Sequence, residues 1–141
     1  SEPMGSYCLG YLWNRGDEVG DATDPNTGRK IEFKATSRFE GDLSSFGPKC
    51  VFDDLVFLRF KLDENLLYIY DLNINSEEFG KYPANKTQTI QEQKNQGRRP
   101  HVSLQTLFVD ANNLEPDIIF DIRRCKAYNR VSEYYQRLIG K

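Results

Sequence analysis

The chain has 141 residues, a formal charge of −2 and a 38% hydrophobic, 28% charged composition, which suits one domain over 1–141 with a core that needs no staple. A net charge so close to zero excludes a partner held by a global basic field, so a nucleic acid would have to be met by local patches. No apolar run approaches the ~18 residues of a membrane span, and Cys8, Cys50 and Cys125 lack zinc spacing, so they read as reduced thiols of a cytoplasmic protein.

Residues 1–4, Ser-Glu-Pro-Met, read as an expression remnant or a shortened N-terminus. The apolar stretch 6–13, SYCLGYLW, suits a short helix more than a first strand. DPNTG at 24–28 is strong turn chemistry. Pro25 presets φ, Asn26 and Gly28 tolerate positive φ, and the Asp24 side chain can close the turn. Strands on both sides make a hairpin over about 17–36. Residues 39–49 read as a loop. The unbroken run Leu55–Leu58 inside FDDLVFLRFKL, 52–62, marks a central strand covered on both faces, and LLYIYDL, 66–72, returns as its partner. From 73 to 101 the chain is polar and reads as a long functional or mobile loop. Ser103 can cap a helix carrying Leu104, Leu107 and Phe108 on one face. DIIFDI, 117–122, is another strand, and Tyr128, Val131, Tyr135 and Leu138 suit an amphipathic final helix. This order predicts an α/β (α+β) domain, a central mixed sheet flanked by helices.

The hairpin serves as a ruler. If Asp24 and Arg29 close a four-residue loop, Thr23 faces Lys30, Ala22 faces Ile31 and Asp21 faces Glu32. Opposed Cβ atoms lie about 4.5–5.5 Å apart, and two carboxylates at that range repel unless a cation sits between them. Lys34 projects from the same face as Glu32. Asp24 stays at the tip. Two hard oxygen ligands with open positions suit Mg²⁺, which takes substrate phosphate oxygens as further ligands. Lys34 would orient a water or stabilise charge developing on the phosphate. The alternative is a solvent-facing charged hairpin with a Lys–carboxylate pair.

An Asp, ten intervening residues and then Glu-x-Lys within IEFK resembles the PD-(D/E)xK nuclease superfamily. The following KATS, the SSFGP loop and the strand FDDLVFLRF resemble small type II restriction endonucleases, over roughly residues 16–125. The resemblance implies a restriction-endonuclease-like fold, Mg²⁺-dependent hydrolysis of double-stranded DNA in a prokaryotic cytoplasm, and Asp21, Glu32 and Lys34 as the catalytic set, with Asp21 and Glu32 on the metal. Many relatives carry a Glu on a longer first helix, whereas here only Glu2 precedes Asp17.

QTIQEQKNQGRRPH, 88–101, reads as a DNA reader. Gln91, Gln93 and Gln96 suit adenine, Arg98 and Arg99 suit guanine, and Lys94 and His101 suit phosphates. A partnerless solvated loop is the plainer reading. Lys126 and Arg130 in RRCKAYNR, 123–130, form a second basic patch, either lining a duplex or simply solvated. The expectation is a sequence-specific endonuclease acting as a homodimer, because one small subunit carries one centre and a palindrome has two strands to cut. Its rivals are a structure-selective nuclease, such as a junction resolvase or repair enzyme, and a non-catalytic DNA-binding domain on the same fold.

Overall fold

The structure is a computed structural model describing residues 2–14 and 20–140. The elements run α1 (Glu2–Leu9), β1 (Leu12–Trp13), β2 (Ala22–Thr23), β3 (Lys30–Thr36), β4 (Ser44–Ser45), β5 (Asp54–Lys61), β6 (Leu66–Asp71), α2 (Ser76–Gly80), α3 (Ile90–Asn95), β7 (His101–Val102), a π-helical segment (Gln105–Asp110), β8 (Ile118–Asp121), β9 (Lys126–Asn129) and α4 (Glu133–Ile139). Among the described residues no helix is long and apolar enough to cross a membrane. The expected hairpin is present as β2–β3, and its first residues, 17–19, lie outside the described residues.

A seven-stranded sheet has the order β1-β2-β3-β5-β6-β8-β9. It is mixed because β3 and β5 run parallel, with Glu32 beside Leu55 and Lys34 beside Phe57, while the other neighbours are antiparallel. Alternation splits its side chains between two cores. Ile31, Phe33, Val56, Leu58, Leu67 and Ile69 face one way, where Met4, Cys8 and Leu9 of α1 cover them. Leu55, Phe57, Leu66, Tyr68 and Tyr70 face the other way, under Phe79 of α2, Ile90 of α3, Phe108 and Tyr135. Leu55–Leu58 is fully buried, as a strand paired on both edges and covered on both faces must be.

The polar stretch 73–101 is more ordered than its composition suggests. Asn75 caps α2 by accepting from the Glu78 N–H, and Thr89 with Glu92 forms a reciprocal capping box on α3. One apolar side chain on each short helix, Phe79 and Ile90, is driven into the core. Residues 39–49, expected as a loop, contain β4, which pairs with β7 through Ser44–Val102 and Ser45–His101. The Phe46 N–H adds a bond to the Pro100 carbonyl at 3.1 Å, so the segments around 46 and 100 hold each other. The Ser103 cap is present, its hydroxyl accepting from the Thr106 N–H at 3.1 Å. The tail departs from the expected helix over 128–138. Pairing with β8 draws 126–129 into β9, and α4 starts only after the Ser132 cap. Tyr135 is buried as the spacing implied, but Val131 is left in solvent.

Candidate active site

The turn between β2 and β3 sets the register of the site. The Asp24 carboxylate accepts from the Asn26 N–H at 2.9 Å, the Gly28 N–H reaches the Asp24 carbonyl and the Asp24 N–H reaches the Arg29 carbonyl at 3.0 Å. Gly28 takes positive φ, open to glycine at no steric cost. The ladder pairs Thr23 with Lys30 and Ala22 with Ile31, the register expected from the sequence. Beyond it the chain departs from ideal pairing. The Asp21 N–H donates to the carbonyl of Ile31 at 2.8 Å, although Ile31 already opposes Ala22. Gly20, at positive φ, makes this possible, since a Cβ there would lie 3.3 Å from that carbonyl. Gly20 thus positions Asp21, a role the sequence reading did not assign.

Asp21 accepts the Phe33 N–H on its carboxylate at 2.8 Å. Its carboxyl group also lies within hydrogen-bonding reach of the Glu32 carboxyl. Lys34 stands on the same face, its ammonium 3.6 Å from Glu32 Oε2 and 4.8 Å from the Phe46 ring centroid. The three residues are therefore gathered at one point. Burial, then the Asp21 charge, push the Glu32 carboxyl up to about 7, and Lys34 opposes them. Two carboxylates in a half-buried site cannot both stay ionised cheaply without a cation. The pair fits Mg²⁺, a hard cation bound by one or two carboxylates plus waters and phosphate oxygens. Among the described residues no cluster of three or more His, Cys, Asp or Glu side chains forms a metal cage.

Two further residues join this centre. Burial, then the charge of the Glu32 carboxyl, pushes the Cys50 thiol up to about 11. The Cys50 carbonyl accepts from the Lys94 ammonium at 2.7 Å. From sequence Cys50 reads as a reduced thiol, and only its position four residues before β5 hints otherwise.

The candidate reader residues separate into two groups. Gln93 and Lys94 are buried, and the Gln93 amide points inward to Gln88 at 3.4 Å. Gln91, Gln96, Arg98, Arg99 and His101 are exposed. Gln91 donates to Asn95 at 2.8 Å, and the Arg98 guanidinium is held by Gln88 at 2.9 Å. Arg99 lies across Gly47, where a Cβ would stand 3.0 Å from its guanidinium nitrogen. His101 is held in β7 beside Ser45. Within the exposed group Arg99 and His101 flank the SSFGP loop, on the segment pinned through Phe46, while Gln91 lies against Gly80. Lys126 and Arg130 sit at the far edge of the sheet, on and just after β9. Four strand spacings separate β9 from β3, about 19 Å. Arg130 is occupied with the Glu115 and Pro116 carbonyls and with Asp117.

Residues 1–111, which contain the hairpin and the 88–101 segment, match the Bsp6I restriction endonuclease family. The type II restriction enzyme Bsp6I of Bacillus sp. (strain RFL6) is 41% identical over 126 residues, 89% of this chain and 72% of that enzyme. No solved structure matches the chain.

Proposed function

The chain belongs to the Bsp6I restriction endonuclease family, and from that premise we propose that it is a Mg²⁺-dependent type II enzyme with a PD-(D/E)xK centre at Asp21, Glu32 and Lys34. Membership makes it a sequence-specific DNA endonuclease. The observation that carries the assignment of the centre is the convergence of Asp21 and Glu32, with Lys34 at 3.6 Å.

Asp21 and Glu32 would hold the cation. When bound, Mg²⁺ would neutralise phosphate charge and acidify water. The rest falls to the chain. The Phe33 N–H fixes the Asp21 carboxylate. The Phe46 ring supports the Lys34 ammonium, whose N–H groups can donate to a non-bridging phosphate oxygen. That donation strengthens as negative charge builds there, so it favours the transition state over the bound substrate. A water attacks phosphorus and gives up a proton to solvent, the P–O bond opposite breaks, and the leaving oxygen takes a proton from solvent.

The exposed Gln91, Gln96, Arg98 and Arg99 stand as the base readers, with His101 as a phosphate contact. Two subunits related by a two-fold axis would bring two centres to the two strands of one site, in the cytoplasm of a bacterial cell. The test is digestion of plasmid DNA with and without Mg²⁺, followed by sequencing of the ends. Discrete fragments with one shared sequence at every end are expected. Cutting that follows branched structure instead of sequence would overturn the specificity, and Mg²⁺-independent cutting would overturn the metal centre.

A further inference from the structure

We infer that Lys94 is a phosphate clamp of the active centre, and that the groove it lines carries the DNA backbone away from the reacting phosphodiester. The inference rests on the nuclease reading above and gives the phosphate role of Lys94 a place beside the active centre.

Lys94 lies on α3 and is only 9% exposed. Its ammonium donates to the Cys50 carbonyl, and ion pairs among the described residues leave it without a carboxylate. An ammonium has three donors, and one neutral carbonyl is poor compensation for a buried charge. A buried cation held by one neutral carbonyl has donors to spare, and it suits an anion that arrives later.

Two further features say where that anion lies. First, the segment that holds Lys94 also touches the proposed centre: the Cys50 carbonyl accepts from Lys94, and the Phe46 ring, four residues earlier, lies 4.8 Å from the Lys34 ammonium. Second, Lys94 lines an open groove of about 440 Å³, walled by Pro48 and Val51 on one side and by Gly80, Lys81 and Gln91 on the other. Lys81 already pairs with Glu78 at 3.2 Å, which leaves Lys94 as the uncommitted cation of the wall. Glu77 also lines the groove, so a duplex there needs Lys94 to offset that charge. A phosphate one or two nucleotides from the scissile bond is the chemistry that fits.

The test measures binding of a mixed-sequence duplex over a range of salt without divalent metal, so it does not depend on cleavage. Lys94→Gln can still donate to the Cys50 carbonyl but carries no charge, and Lys94→Arg keeps the charge. Each neutralised phosphate contributes about 0.9 to the slope of log affinity against log salt. Lys94→Gln should lower the slope by about that amount with the melting temperature unchanged, and Lys94→Arg should restore it. A slope that stays the same in folded Lys94→Gln overturns the proposal. So does failure of both Lys94→Gln and Lys94→Met to fold, since Lys94 would then be a structural tie. On the duplex identified by plasmid-end sequencing, replacing single phosphates by neutral methylphosphonates should reveal one position whose loss harms wild type but not Lys94→Gln. Failure of the nuclease reading would show separately, as absence of cleavage with the slope effect intact.

Discussion

The carboxylate of Asp21 accepts the N–H of Phe33 at 2.8 Å, so the first acidic group is tied to the backbone of the strand that carries the second. One Asp21 oxygen is thereby engaged with the protein and the group is aimed at Glu32. Asn at position 21 can still accept from Phe33 through its amide oxygen, but it has lost the negative charge. Asp21→Asn should therefore melt close to wild type while losing cleavage by at least ~100-fold. Asp24→Asn is the paired control, because Asn can accept from the Asn26 N–H in the same turn and should leave cleavage intact. Plasmid digestion with saturating Mg²⁺ checks both. An active Asp21→Asn beside a dead Asp24→Asn would move the metal site to the hairpin tip.

Glu32 gives the centre a pH dependence. With its carboxyl pushed up to about 7, the metal-free protein holds a proton there that Mg²⁺ must displace. Apparent Mg²⁺ affinity should thus rise with pH through about 7 and level off above it. In the metal-free protein the sign for folding is opposite. The unfolded chain releases this proton near pH 4.3, so stability falls as pH rises from there toward 7. Lys34 lowers the Glu32 value. Lys34→Met should move the Mg²⁺ profile to higher pH and cut the turnover rate by about 10²–10³-fold at saturating metal. Titrating Mg²⁺ against cleavage rate at several pH values separates the two effects.

How much of this was legible in the sequence depends on how local the cause is. DPNTG fixed the β2–β3 register because a four-residue loop admits few pairings, and observed pairing of Ala22 with Ile31 matches it. The Leu55–Leu58 run announced its two covers. What composition hid are contacts made across long separations. Two residues on each side form the β4–β7 ladder, too few to leave a periodic signal. The helices α2 and α3 carry a single fully buried anchor each among polar residues, so their caps were the clue rather than any stripe. Cys50 meets Lys94 of α3 only because the crossover between β3 and β5 folds back over the sheet. The one-residue slip at Asp21 depends on Gly20, whose positive φ no pattern of side chains displays.

Beside β3, on the α1 side of the sheet, Asp54 and Asp71 form a second carboxyl pair. Asp54 stands beside Ile31 in the sheet and is fully buried. Its Oδ1 accepts from the Leu55 and Ile74 N–H groups, and its Oδ2 has no other partner. Asp71 accepts from the Tyr11 hydroxyl at 3.0 Å. Burial, then the hydrogen bond to Asp71 and the Asp71 charge, push the Asp54 carboxyl up to about 8. It therefore stays protonated at neutral pH and donates to Asp71. The unfolded chain releases that proton near pH 3.9, so stability should fall as pH rises from about 4 to 8. Asp54→Asn can keep the donor without the titration. Its melting temperature should vary less over this range than wild type, both compared in a Glu32→Gln background to remove the first pair. Parallel curves would mean that Asp54 is ionised in the fold.

Recognition is tested by separating discrimination from affinity. Arg98 and Arg99 stand exposed where the 96–100 segment is pinned to the SSFGP loop, and each guanidinium is oriented by a neighbour, Gln88 or Gly47. Orientation by the protein is what a bidentate contact to guanine requires, because a freely moving side chain would lose entropy on docking. Losing one such contact should cost roughly 1–3 kcal/mol at one base position and leave binding to unrelated sequence little changed. Lys126 is exposed at the opposite edge of the sheet, its ammonium 5.6 Å from the Tyr128 ring centroid, so it can act only as a point charge. Lys126→Ala should weaken every sequence alike, with a shallower salt dependence. Arg130 differs again. Because it clamps the Glu115 and Pro116 carbonyls, Arg130→Ala should lower the melting temperature as well as binding. Affinities for cognate and scrambled duplexes at two salt concentrations, for Arg98→Ala, Arg99→Ala and Lys126→Ala, decide the matter. If all three lower both affinities by one factor, the 88–101 segment holds DNA by charge alone, and base reading has to be sought on another part of the surface.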